Sequence, residues 1–357
     1  MRRREFITFL AGVAAARPLA VRAQQSAMPV IGFLGTSSPD LYAIRLGVFR
    51  EGLKEAGYVE GQNVAIEYRW AHDVVNRLPA LAADLVQRRV NVIVAASGTP
   101  GAVAAKAATT TIPIVFAVAV DPIRVGFVES LNRPGGNLTG VTNLNVEIVP
   151  KRLEVLHALL PTATDFAVLV DPTGPALAEP FVREAQEAAR SLGLRLHVLN
   201  ASSERDFDPA FASVVQLKAA GLIIGPSTFF VGRGEQMATL ALRYKVPAIY
   251  QYRPFAAAGG LMSYGSDETE YYHLVGVYAG RILKGEKPAD LPVQQSSKVE
   301  LIINLKTAKA LDLNIPLSLL GRAGGHRIKP SAYYSPVHFG ARLLRKASRP
   351  SRKSRLM

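Results

Sequence analysis

The chain has 357 residues, of which 49% are hydrophobic and 20% charged, and it has no cysteine; that length suits two globular cores, and the composition excludes disulfides, thiolate metal sites, a cysteine nucleophile and a lipidated N-terminal cysteine. The formal charge of +14 sits at the ends: residues 1–23 hold five arginines and one glutamate, residues 321–357 hold ten Arg or Lys and no acid, and residues 24–320 balance at zero. A specific nucleic-acid reader would carry its positive charge on the folded body, so that class is not expected.

In chain order, Arg2, Arg3 and Arg4 precede the apolar run FITFLAGVAAA, and PLAVRAQQ resembles a processing site with Val21 and Ala23 at its small-residue positions. Residues 1–23 therefore read as an export signal. The R-R-x-F pattern of Arg3, Arg4 and Phe6 points to the twin-arginine route, which leads to a bacterial periplasm. No later stretch supplies the roughly 20 uninterrupted apolar residues of a spanning helix.

A strand is predicted at 30–34 with a loop at 35–39, then a helix over 41–56 stopped by Gly57. Val64, Ile66 and Tyr68 alternate in a second strand, and a helix covers 78–89. Residues 91–122 organise the rest: NVIVAA reads as a buried strand, Ser97, Gly98, Thr99 and Pro100 as a turn, GAVAAKAAT as a helix, and IPIVFAVAV as a second buried strand ending at Asp121-Pro122. Such a βαβ unit has parallel strands and a right-handed crossover. Ligands bind at the carboxyl ends of such strands, near helix N-termini that favour an anion, so Ser97, Thr99 and Asp121 are expected to border a pocket.

A short helix is expected over 125–131. NRPGGNLTGVT, with three glycines, then reads as a break and the first passage between lobes. A helix over 148–160 leads to a second βα series: a strand at 166–171 ending at Asp171-Pro172, a helix at 178–192, the strand LRLHVLNA, a helix over 208–220 opened by Asp208 and Pro209, the strand and turn GLIIGPSTFF, a helix at 234–244 and the strand PAIYQYR. GGLMSYGSD ends in Asp267, a cap for a helix over 268–283, and a strand at 299–303 precedes a short helix from Leu305. The predicted fold is α/β, with two Rossmann-like lobes of parallel sheets joined by hinge strands. Residues 29–145 with 265–290 are assigned to the N-terminal lobe, 146–264 with 291–320 to the C-terminal lobe, and 321–357 to a disordered basic tail.

The segments VIGFLGTSSP, GLKEAGYVEGQNVAIEYRWA, RLPALAADLV, KAATTTIPIVFAVAVDPI, LNRPGGNLTGVT, PKRLEVL and LPVQQSSKVELIINLKTAKALDLNIP together resemble the ABC transporter substrate-binding proteins that include tryptophan- and tyrosine-binding members, over nearly all of residues 29–320. The resemblance implies a two-lobed protein, of the periplasmic-binding-protein type I kind, that closes on a small organic solute and passes it to a membrane permease. On the family pattern, Thr36, Ser37 and Ser38 fall on the first binding loop, Ser97, Gly98 and Thr99 on the third-strand loop, and Asp121 and Pro122 on the fourth. The second lobe would add Asp171, Ser227, Thr228 and Tyr250, with Tyr264 near the hinge. The sequence beyond Leu320 departs from the family pattern. Each residue has a plainer reading beside this one: Ser97, Gly98 and Thr99 as a turn and cap, Asp121 and Asp171 as groups bonding their own loops, Tyr250 and Tyr264 as packed core, Arg69 as solvated and Trp70 as half-buried.

Against an exported hydrolase, neither Ser97 nor Ser227 lies in a G-x-S-x-G elbow. His72, His157, His197 and His273 have no evident paired aspartate, His326 and His338 lie in the tail, and H-E-x-x-H is absent. GFLGTSS lacks the dinucleotide fingerprint, so NAD is excluded and no cofactor or metal is expected. A sensor domain docking to a signalling partner would share the same lobes and stays open as an alternative. The cleft loops are rich in hydroxyls and poor in arginine, which favours one compact carboxylate over a phosphate ester. With Tyr250, Tyr252 and Tyr264 as flat surface and Asp121 or Asp171 for an amine, the expected solute is an amino acid or aromatic carboxylate, bound by a monomer.

Overall fold

The computed structural model describes residues 28–296 and 298–323; the export signal over 1–23 and the tail from residue 324 lie outside the described residues. Two six-stranded sheets form the two lobes. In the first, β1 (Val30–Gly35), β2 (Ala65–Trp70), β3 (Val92–Ala95), β4 (Ile114–Val118) and β5 (Leu138–Thr142) run parallel in the order β5-β4-β3-β1-β2. In the second, β6 (Asp165–Val170), β7 (Arg195–Asn200), β8 (Leu222–Ile224), β9 (Ala248–Tyr250) and β10 (Met262–Ser266) run parallel in the order β10-β9-β8-β6-β7. The chain then returns to the first sheet as β11 (Gln294–Gln295), beside β5, and ends on the second as β12 (Val299–Ile303), antiparallel to β10.

The apolar runs dictate the sheet positions. Every residue of β3 and β4 is buried, as unbroken apolar strands covered on both faces must be. The edge strands β2 and β7 stay partly exposed. Crossover helices cover the faces: α1 (Pro39–Glu55), α2 (Leu78–Gln87) and α3 (Thr99–Ala108) in the first lobe, then α4 (Val149–Leu159), α5 (Pro175–Ser191), α6 (Phe207–Gln216), α7 (Thr228–Val231), α8 (Gly234–Arg243) and α9 (Arg253–Ala257) in the second. Helix α10 (Glu268–Leu283) goes back to the first lobe and packs along α1, whereas α11 (Leu305–Ala310) and α12 (Leu317–Arg322) close the second. Three glycines permit the α1/α10 contact. A Cβ on Gly52 would stand 2.0 Å from the carbonyl oxygen of His273, one on Gly276 2.1 Å from that of Phe49, and one on Gly280 2.3 Å from Ala56 Cβ.

Several expectations are corrected. NRPGGNLTGVT is not all breaker: its second half is β5, and Gly140 belongs inside the strand because a Cβ there would lie 2.1 Å from the Phe116 carbonyl of β4. No helix forms over 125–131; the chain makes turns, with Gly126 at φ +70° and the Phe127 N–H reaching back to the Pro122 carbonyl. Helix α6 is entered through a capping box of Ser203 and Asp206, one turn before the expected Asp208. That is because Asp208 instead takes bonds from Arg243 and Tyr244. The return at Gln294–Gln295 extends the first sheet, so the last crossing falls at residues 296–298, later than the predicted boundary at 291. Asp267 does cap α10, accepting from the Thr269 N–H at 2.8 Å.

Candidate functional site

The chain passes between lobes at residues 143–148, at Asp267 and at 296–298, and the carboxyl-end loops of both sheets face each other across the cleft so formed. Arg233 of the second lobe meets Asp73 of the first at 2.8 Å, and Arg124 meets Glu184 at 2.9 Å, so the lobes touch. The space between them is narrow, about 50 Å³. That is room for only a few waters.

The first-lobe wall comes from α1 and α10. Tyr42, Tyr271 and Tyr272 form an edge-to-face cluster, with ring centroids 5.6 Å apart for Tyr42 and Tyr272 and 5.1 Å for Tyr271 and Tyr272. Two of the hydroxyls are anchored in the strand ends: Tyr42 donates to the Ala96 carbonyl at 2.6 Å and Tyr271 to the Val118 carbonyl at 3.0 Å. Burial raises all three phenols far above their ordinary range, so they stay neutral. Beside them Arg45 and Glu268 pair through both carboxylate oxygens at 3.0–3.1 Å. The Arg45 guanidinium also lies 5.5 Å from the Tyr42 ring centroid and 5.9 Å from that of Tyr272, within cation–π range. The second-lobe wall is small and mostly apolar or hydroxyl-bearing: Leu177, Pro226, Ser227, Thr228, Val231 and Gly232.

Of the residues expected at the site, Ser37, Gly98, Ser227 and Thr228 line this cleft. The Ser37 hydroxyl has no hydrogen-bond partner among the described residues, and neither does that of fully buried Ser97. Thr36 and Thr99 are spent on bracing: the Thr36 hydroxyl donates to the Ser97 carbonyl at 2.6 Å and that of Thr99 accepts from the Ala119 N–H at 3.3 Å. Ser38 stands at the start of α1, where its side chain makes no cap bond. Asp121 accepts from the Ile123 N–H at 2.8 Å inside its own loop, beside buried Pro122. Asp171 holds Thr173 and takes the Ser227 hydroxyl at 2.7 Å, which fixes that serine on the cleft wall.

Tyr250, expected to cover a ligand, points into the second-lobe core, stacked on Phe255 at 5.0 Å. Tyr264 packs against the core on the other face of that sheet. Arg69 is engaged by Asp84 and Glu67, and Trp70 stacks parallel to Tyr68. The arginine that the strand-end loops lack comes from two turns into α1, as Arg45. With it the structure adds Glu268, Tyr42, Tyr271 and Tyr272, none of which lies in a turn.

Tyr252 is the aromatic residue of the second lobe that reaches the cleft. Its hydroxyl oxygen meets the side-chain amides of Asn143 at 2.9 Å and Asn145 at 2.6 Å, both on the first crossing. Fully buried Arg152 holds that crossing, donating to the Asn145 carbonyl at 2.7 Å, to the Asn145 side chain, and to the Tyr264 carbonyl at 2.8 Å. Burial lowers the Arg152 pKa to about 10, with Tyr252 and Tyr264 opposing the shift, so it remains a cation at neutral pH.

Two α/β lobes around an interlobe cleft define a solute-capturing protein of the periplasmic-binding type I architecture. The sequence profile described as ABC transporter substrate binding protein matches residues 29–327, and the chain belongs to that family. It is similar to the tyrosine-binding protein of Clostridioides difficile (strain R20291), at 29% identity over 266 residues, 74% of this chain and 75% of that one. A conserved domain protein from Vibrio cholerae matches it with a TM-score of 0.76 and 27% identity, over 83% of this chain and 99% of that one. The ABC domain of Streptococcus pneumoniae in complex with L-Trp matches with a TM-score of 0.73 and 25% identity, over 83% and 98% of the respective chains. The protein is thus an exported solute-binding component that hands a small molecule to an ABC permease, and its family is one of transport proteins, not enzymes.

Proposed function

We propose that the solute is a zwitterionic aromatic amino acid, held between the tyrosine wall and the hydroxyl-bearing second lobe. The observation that carries this is the charge content of the cleft: Arg45 and Glu268 are its charged lining residues, one of each sign, amid four tyrosines. A net-neutral ligand with one ammonium, one carboxylate and a flat apolar body matches that lining, and aromatic edge-to-face contacts add to area burial. A sugar would bring no charge to match the ion pair, and a dianion would lack a second cation. The relatives named for tyrosine and for bound L-Trp support the same class. The ammonium faces Glu268, the ring lies against Tyr42 and Tyr272, and Ser37, Ser227 and Thr228 supply hydroxyls around the rim.

Closure of the second lobe, joined by Arg233–Asp73 and Arg124–Glu184, completes capture. We further propose that export follows the twin-arginine route, so that Arg3→Lys with Arg4→Lys stops it, and that the protein works as a monomer, checked by light scattering.

Thermal unfolding with L-tryptophan, L-tyrosine, L-phenylalanine, L-glutamate and xylose tests the ligand class. A ligand at 100 times its Kd adds about 2.7 kcal/mol to stability. Trp70 is the single tryptophan, and its ring lies 5.7 Å from that of cleft residue Tyr42, so indole fluorescence with L-tyrosine or L-phenylalanine gives a second readout. Stabilisation by xylose or L-glutamate with no response to the aromatic amino acids sinks the reading.

A further inference from the structure

The hydrogen-bond accounting around Tyr252 leaves one proton over. Asn143 Oδ1 accepts from the Asn145 backbone N–H at 3.2 Å, and Asn145 Oδ1 accepts from the Arg152 guanidinium. Neither partner can accept a bond in return, so both side-chain amides are fixed with their oxygens away from Tyr252 and their N–H groups toward it. The Tyr252 oxygen therefore accepts twice, at 2.9 and 2.6 Å. Its own O–H has no acceptor among the described residues, although the side chain lines the cleft. No hydrogen bond joins it to Glu268, the acid of the lining, which pairs with Arg45. Burial, reinforced by the Glu268 carboxylate, pushes this phenol well above its ordinary range, so the proton is present at neutral pH.

We propose that Tyr252 is a specificity-determining residue that donates its phenol proton to the carboxylate of the ligand. The proposal rests on the amino-acid reading above and deepens it. The two amides hold the phenol by its lone pairs and make the proton's direction a fixed property of the site, so a ligand without an acceptor at that point forfeits the bond. The same oxygen is gripped by the first crossing, which Arg152 ties to the Tyr264 carbonyl, so a carboxylate bound here is joined through one side chain to the segment about which the lobes move.

The test compares L-phenylalanine with phenethylamine, which lacks only the carboxylate, on the wild type and on Tyr252→Phe by calorimetry. The variant is expected to lose about tenfold to a hundredfold in affinity for L-phenylalanine, the range of one hydrogen bond to a charged group, while its affinity for phenethylamine stays within about threefold. A purely structural tyrosine would weaken both ligands equally, and that outcome, or no loss at all, overturns the assignment while leaving the amino-acid reading intact. If the wild type binds none of the aromatic amino acids, or prefers phenethylamine to L-phenylalanine, the amino-acid reading itself falls and the carboxylate role goes with it. Should Tyr252→Phe fold poorly, a ring-fluorinated tyrosine at position 252 keeps the shape with a more acidic phenol; it must tighten L-phenylalanine alone, and an equal change for phenethylamine overturns the proposal.

Discussion

On the first-lobe side of the cleft Ser37, Gly98 and Ala119 come from strand-end loops, but most contact residues come from two long helices, α1 and α10, packed so closely that Gly52, Gly276 and Gly280 leave no room for a Cβ. On the opposite side they come from turns after strands, from Leu177 in the first turn of α5 and from the four-residue α7, after which the Cβ of Gly232 would meet only the flexible Leu41 side chain, at 2.9 Å. Aromatic rings and charges are concentrated on the helical wall, whereas hydroxyls and small aliphatic groups occupy the turns. Rings and a bidentate ion pair need fixed geometry to discriminate, and a helix pair supplies it; a wall of small groups can close over ligands of somewhat different outline. The first lobe thus carries most of the rings and both charges of the cleft, and the second adds Tyr252 among small groups.

The largest test of this division is Gly276→Val. A branched side chain there meets the Phe49 carbonyl and the Leu53 N–H; overpacking against backbone should cost about 3 kcal/mol in urea unfolding and displace Tyr271 and Tyr272 from Tyr42. Thr228→Ala on the other wall should change stability by less than about 0.5 kcal/mol. Equal costs on the two walls would remove the distinction. Next comes Arg45→Met, expected to weaken an aromatic amino acid about a hundredfold by calorimetry, against roughly threefold for Thr228→Ala, because only the arginine makes charge-assisted bonds. The reverse ranking would place the main discriminating contacts on the second lobe.

A smaller effect is expected at the edge of the cleft. The Arg233–Asp73 pair is only partly exposed, at 19% and 15% for the two side chains. Arg233→Ala should open the lobes in small-angle scattering and weaken ligand by about threefold to fivefold, in keeping with a pair worth about 1 kcal/mol. An unchanged envelope would show that other contacts hold the lobes together.

The smallest concerns Glu147 on the first crossing. Its carboxylate takes the Asp121 N–H at 2.8 Å with one oxygen, and the other has no partner among the described residues. Burial, with the neighbouring Asp121 carboxylate, raises its pKa against the opposing Asp121 N–H bond. The folded form therefore holds this proton to higher pH than the unfolded chain, so stability from this group is full below the ordinary glutamate pKa and is lost as pH rises through the folded value. Glu147→Gln should raise stability at neutral pH by under about 1 kcal/mol, allowing for solvent screening, and the gain should vanish in acid. A gain that persists at low pH would assign it to something other than ionisation.

The strand-turn-helix units were legible because buried parallel strands leave unbroken apolar runs; Ser37, Gly98, Ser227 and Thr228 came from the family resemblance, whereas Ser97, Thr99 and Asp121, expected from loop position alone, do not line the cleft. The helical wall was not legible in the same way. Arg45 and Glu268 are 223 residues apart, and nothing in either helix says that α10 leaves the second lobe to lie beside α1. The available signal was the small-residue spacing of Gly276 and Gly280 next to Tyr271-Tyr272, which suits close helix packing more than a surface helix. Tyr250 failed for a different reason: it shares parity with Tyr252 in an ideal strand, but β9 ends at Tyr250 and the turn at Gln251 sends its ring into the core and that of Tyr252 to the cleft. Gly140 misled because a glycine inside a strand and one in a turn look alike until the neighbouring backbone is placed.

The late arrival of α10 also sets a schedule for synthesis. Tyr42, Leu46, Phe49 and Leu53 are buried on α1, in the cluster that α10 completes with Tyr271, Tyr272 and Val275. At roughly 5–20 residues per second, the ribosome needs on the order of ten to forty seconds to travel the 223 residues between Arg45 and Glu268. A chain stopped at residue 266 should accordingly bind a hydrophobic dye that the full-length protein excludes. Throughout that interval the apolar face of α1 lacks the α10 residues that cover it in the finished fold.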